Sequence, residues 1–128
     1  MILNDFDLAK EANDLALRLA RAYTGSKNTV VVDGAYHGHT LSVLEVSPYK
    51  YEHTKEFDLT KQGSGAGSYE TPGRHIWKVP CPDIYRGLHR GDNAGEKYAS
   101  YVKEACDYYT STEESVGAFI MEGGMSVG

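Results

Sequence analysis

Tyr36-His37-Gly38-His39 stands just past a run of three valines, after Asp33-Gly34-Ala35, and Glu122 follows directly on a second short apolar run. Ligands of open α/β sheets bind beyond the carboxyl ends of the strands, so both places are positions where chemistry can be done. His37 and His39 form an H-x-H pair, which is a weak metal signal without a carboxylate or cysteine at ligand spacing; polar loop histidines are the plainer reading. Ala9-Lys10-Glu11 stands near the start of a helical pattern. A helix N-terminus offers free N–H groups and the positive end of its dipole to a phosphate. Ala9 can offer an N–H there, Lys10 a charge, and Glu11 suits the dipole. Gly63-Ser64-Gly65-Ala66-Gly67 has the composition of a phosphate cradle, but no strand precedes it and no Lys-Ser/Thr follows, which argues against a P-loop. No base stands at reactive spacing from Cys106, so a nucleophilic thiol is not indicated. The plain structural alternatives are a tyrosine filling a corner at Tyr36, an exposed strand-end carboxylate at Glu122, and a merely capped helix at Ala9 and Lys10.

The elements that must position these residues are legible in outline. The chain has 128 residues, 41% hydrophobic, 11% aromatic and 24% charged, the arithmetic of one small globular domain. That excludes collagen, a rod and a wholly disordered chain. No apolar run approaches the ~20 residues that cross a bilayer, so no membrane partner is expected. Acids and bases are interspersed at a net charge of -5, which argues against nucleic acid as a partner. Two cysteines, Cys81 and Cys106, read as free thiols of a reducing compartment. No address stands at the N-terminus; the compartment stays open between cytoplasm and mitochondrial matrix. Fourteen glycines and ten tyrosines are the oddity, tyrosine favouring half-wet clefts and interfaces.

Leu8, Ala12, Leu15, Leu19 and Tyr23 recur at helical spacing and predict a helix over 8–23 with that face inward. Asn4 or Asp5 is its candidate cap, and Gly25 ends it. Thr29–Asp33 predicts a strand buried on both faces. A short helix over 41–46, stopped by Ser47-Pro48, precedes an aperiodic stretch containing a Gly/Ser-rich insertion at 59–72. His75–Val79 predicts a second strand. Asn93 and Glu96 resemble a capping box ahead of a helix over 94–109, whose tyrosines pack it onto the sheet or a partner and whose Cys106 points at or near the core. Val116–Met121 predicts a third strand. Strands alternating with helices indicate an α/β fold with a parallel sheet. Three strands are few for one, so residues 1–128 are expected to be part of a larger domain.

Two segments carry a resemblance. Glu11-Ala12-Asn13-Asp14-Leu15-Ala16-Leu17-Arg18-Leu19-Ala20-Arg21-Ala22-Tyr23-Thr24-Gly25 and Asp33-Gly34-Ala35-Tyr36-His37-Gly38-His39-Thr40 together resemble class III aminotransferases. Ser47-Pro48-Tyr49-Lys50-Tyr51 and Pro82-Asp83-Ile84-Tyr85-Arg86-Gly87 resemble more closely the branch of phospho-lyases that act on ethanolamine phosphate and phosphohydroxylysine. The resemblance implies part of the large domain of an aspartate-aminotransferase-like fold, pyridoxal 5'-phosphate as cofactor, a small amine or amino acid as substrate, and a homodimeric parent enzyme. It implies that Tyr36 stacks on the cofactor ring, that His37 flanks it, that Ala9 and Lys10 stand where Gly and Ser or Thr grip the cofactor phosphate, and that Glu122 faces the pocket. His39 stands where several relatives have an arginine for the substrate carboxylate. Histidine carries no permanent charge at neutral pH, so carboxylate binding there is in question. Gly123 and Met125 replace a usual Pro and Gln. The Schiff-base lysine and its partner Asp are expected beyond residue 128, so no catalytic residue is assigned here and the chain alone is expected to be inactive. Phosphate elimination is the expected chemistry of the parent; ordinary transamination and an inert α/β module are the alternatives.

Overall fold

The computed structural model describes residues 5–50 and 73–125. Helix α1 (Asp5–Thr24) leads into strand β1 (Thr29–Val32), then a short helix α2 (Leu41–Leu44) and a 3-10 turn (Pro48–Lys50). Strand β2 (Ile76–Val79), helix α3 (Ala94–Ser111) and strand β3 (Ala118–Ile120) follow. The expected order holds, and the architecture is α/β. The Gly/Ser insertion at 59–72 and the candidate cap Asn4 lie outside the described residues.

β1 is central in the order β2-β1-β3, and both pairings are parallel. Thr29 stands opposite Ile76 and Ala118, so the three carboxyl ends emerge at one edge. Valine is stiff at χ1 and suits a pleated strand. Val30 and Val32 pack with Trp77 and Val79 of β2 and with Ala105 and Tyr109 of α3. Val31 points the other way, onto Leu17, Val43, Val46 and Ile76. The strand is buried on both faces, as its three consecutive valines predict.

At the other end of α1, Gly25 takes φ +69° and its N–H donates to the Arg21 carbonyl at 3.0 Å, the left-handed stop that only glycine adopts without strain. Tyr98 and Tyr109 are buried on the sheet side of α3, and Tyr109 donates to the Arg74 carbonyl at 3.3 Å.

Four expectations are corrected. The face Leu15, Leu19, Tyr23 is turned outward, at 56%, 60% and 93% exposure, while Leu17 is 3% exposed against the sheet. Both faces of α1 carry leucine, so periodicity detects the helix without deciding which side the sheet covers. The helix also begins earlier, at Asp5. Cys106 is exposed: Ala105 and Tyr109, one helical turn apart, take the inward stripe of α3. Asn93 makes no side-chain cap hydrogen bond, because its backbone (φ -99°, ψ 12°) is not the extended conformation that aims a cap.

Leu17→Ala is therefore expected to cost about 2–3 kcal/mol of unfolding free energy, and Leu19→Ala less than about 0.5 kcal/mol. Denaturant unfolding of the two variants checks the orientation of α1; equal losses contradict it.

Candidate functional site

The chain leaves β1 after Val32 but remains buried at Ala35, His37 and Gly38. Buried peptide groups must find partners, and here they are drawn from three other elements. The Tyr36 N–H donates to Glu122 Oε1 at 2.6 Å, a short charge-assisted bond from the residue just beyond β3. The His37 N–H donates to Ser47 Oγ at 3.0 Å, whose hydroxyl donates in turn to the Val43 carbonyl at 2.7 Å. The His37 carbonyl accepts from Asn13 Nδ2 of α1 at 2.9 Å. The Ala35 carbonyl accepts from the Tyr49 N–H at 3.1 Å. Gly38 follows at φ +131°, and a Cβ there would stand 2.5 Å from Lys10 Cβ, so only glycine lets the turn lie against α1.

Two side chains are presented by this turn. The half-buried Tyr36 ring rests with its edge toward Tyr49, centroids 4.7 Å apart and planes at 66°. The His37 imidazole is only 7% exposed, and its Nε2 has no hydrogen-bond partner among the described residues. Burial pulls its pKa below the ordinary 6.5, against a smaller upward pull from Glu122. The thiol of Cys81, just past β2, is pushed up by burial and then by Asp33, Asp83 and Glu122. Lys78 Nζ lies 3.0 Å from Asp33 Oδ1.

The structure thus brings together Tyr36, His37 and Glu122, with the stem of Lys10 against Gly38. Ala9 and His39 are exposed and stand outside this hydrogen-bond network. Because α1 begins at Asp5, Ala9 and Lys10 occupy its second turn. The free N–H groups of a helix belong to its first four residues, and Ala9 is the fifth residue of α1. Asn13, Ser47 and Tyr49 were not expected at the site. A groove of about 430 Å³ lined by Glu11, Asp14, Leu15, Arg18, Arg21 and Ser42 runs along α1 and includes none of the turn residues. Among the described residues no three His, Cys, Asp or Glu side chains gather to hold a metal, and no helix is long and apolar enough to cross a membrane.

No protein-family model matches the chain. Individual relatives do. The chain is 38% identical over 129 residues to "Ethanolamine-phosphate phospho-lyase homolog 1" of Caenorhabditis elegans, covering 92% of this chain and 25% of that protein. It is 38% identical over 123 residues to "Alanine--glyoxylate aminotransferase 2-like" of Drosophila melanogaster, covering 92% and 22%. Among solved structures, an Arthrobacter phospholyase in complex with phosphoethanolamine superimposes at a TM-score of 0.60 and 28% identity, covering 87% of this chain and 23% of that one. The chain spans about a quarter of the length of the curated relatives it matches.

Two outcomes follow from the electrostatics. A neutral buried imidazole means that the unfolded chain takes up the proton first as pH falls below 6.5. The stability tied to His37 is complete above that pH and is lost as pH drops through the lowered folded value. The melting temperature should fall between about pH 7.5 and pH 5, and less steeply in His37→Gln; parallel slopes contradict the assignment. With a thiol reagent at about pH 8, Cys106 should react about tenfold faster than Cys81, as peptide mapping of the labelled chain would read.

Proposed function

We propose that this chain, a member of the class III pyridoxal-phosphate-dependent aminotransferase family, forms one wall of the cofactor site of a phospho-lyase acting on a phosphorylated amine. The observation that carries the reading is the turn at the carboxyl edge of the sheet. It presents an aromatic ring and a buried imidazole with an unpartnered nitrogen, on a backbone held from three sides. Such a turn fits a flat heteroaromatic ring with hydrogen-bonding substituents. Pyridoxal phosphate, the cofactor expected for this family, supplies when bound a ring that takes up the electron pair left on the amine carbon.

The roles of the protein groups follow from their places. Tyr36 lays its ring against the cofactor, excludes water from that face and fixes its tilt. His37, neutral at neutral pH, offers Nε2 to a polar substituent. Glu122 holds the Tyr36 amide and so sets where the ring lies. Lys10 brings positive charge to the same turn for the cofactor phosphate, beside Ala9. His39, exposed at the rim, is assigned to the substrate. A lyase is favoured over a transaminase by the names of the worm relative and the Arthrobacter structure; the fly relative's name supports transamination as the second reading. The parent enzyme is proposed to be a homodimer.

Pyridoxamine 5'-phosphate tests the cofactor site, because it has ring and phosphate but no aldehyde for surface lysines to capture. Its fluorescence should change saturably with the chain, and Tyr36→Ala should weaken binding about 5- to 10-fold, the scale of one aromatic contact. Equal binding by the variant removes Tyr36 from the site. With the probe bound, phosphoethanolamine and not L-alanine should shift the His39 ring resonances in an NMR titration; the reverse preference favours the transaminase.

A further inference from the structure

We infer that Asn13 and Ser47 are positioning residues for the cofactor-facing turn, an inference that rests on the cofactor reading above. The two side chains bracket one residue. Ser47 Oγ accepts the His37 N–H at 3.0 Å, and Asn13 Nδ2 donates to the His37 carbonyl at 2.9 Å. The peptide units on either side of the His37 Cα are thereby fixed by α1 on one hand and by the end of α2 on the other. Neither side chain is placed by accident. Ser47 is 2% exposed, and its own proton is committed to the Val43 carbonyl. The hydroxyl's geometry is thus set before it accepts. Asn13 lies one turn before Leu17, which anchors α1 to the sheet.

The consequence is angular. With Glu122 holding the Tyr36 N–H, successive amides at 36 and 37 are each tied to a different element. The backbone dihedrals between them set the tilt of the Tyr36 ring and the direction of His37 Nε2. A small rotation there displaces both groups, while the sheet and its two cores remain as they are. Neither Asn13 nor Ser47 needs to touch the cofactor.

Asn13→Asp keeps the shape and removes the donor; Ser47→Ala removes the acceptor. Tyr109→Leu, in the other core cluster between α3 and the sheet, serves as a comparison that loses stability without touching the packing of Leu17, Val43 and Val46 that carries the turn's supports. Affinity of the full chain for pyridoxamine 5'-phosphate should fall about tenfold in Asn13→Asp and in Ser47→Ala, the effect of leaving one buried peptide group unpaired. It should be unchanged in Tyr109→Leu at temperatures where that variant is folded. In parallel, amide hydrogen exchange read by NMR should speed up about tenfold at His37 in Ser47→Ala, with Val30 and Val31 unaffected. Faster exchange with unchanged affinity overturns the positioning role, and so does unchanged exchange. If the unsubstituted chain fails to bind the probe, the cofactor reading fails; slow exchange at His37 that Ser47→Ala abolishes then still upholds the bracket, and its absence overturns it.

Discussion

A polypeptide that leaves a parallel sheet while still buried carries peptide groups that neither ladder nor water can satisfy. The segment 35–38 is in that position, and the rest of the structure is arranged around meeting its needs. Glu122, Asn13, and Ser47 with the Tyr49 amide come from three separated stretches of sequence. Each brings structure with it: the end of β3, the third turn of α1, and the segment that runs from the end of α2 into the 3-10 turn. The site and the tertiary structure at this edge are therefore one set of bonds. This explains why a surface turn can be as buried as a strand, and why its geometry does not depend on the loop's own propensities.

The same constraint separates what the amino-acid pattern reveals from what it conceals. Three consecutive valines identify a doubly covered strand, because only such a place removes all three from water; β1 is buried as that demands. The carboxyl edge as the ligand side follows from parallel pairing alone. The orientation of α1 does not follow from its periodicity, since leucines at 15 and 19 oppose leucine at 17 around the helix. Its inward face is chosen by contacts invisible to hydropathy: Asn13 to a carbonyl, and Lys10 against a glycine that has no Cβ to clash.

Polar residues that serve the backbone are the hardest to read ahead. Asn13 stands between alanine and aspartate in a charged helix and looks like a solvated position. Ser47 precedes a proline and looks like a helix stop, which it also is. Glu122 is marked by resemblance as facing the pocket, yet its carboxylate also accepts from an amide of the chain itself. Asn93 shows the reverse error: the right residue type at the right spacing, with a backbone that does not aim it. In each case the side chain's role depends on a distant peptide group, and residue type alone carries no record of that.

His37 is where the backbone's needs and the site's chemistry meet. Its backbone N–H and carbonyl are both engaged and its Nε2 is not, so the fold commits polar groups to fixing a residue one of whose ring nitrogens it leaves open among the described residues. Burying such a nitrogen unpaired costs free energy that a purely structural histidine would recover with a nearby acceptor or donor. Burial also keeps the ring neutral, so it can act as a hydrogen-bonding group beside a ligand without adding a charge to that edge. A turn held rigid around an unpartnered imidazole and a half-covered tyrosine is the arrangement expected where a planar ligand completes the structure.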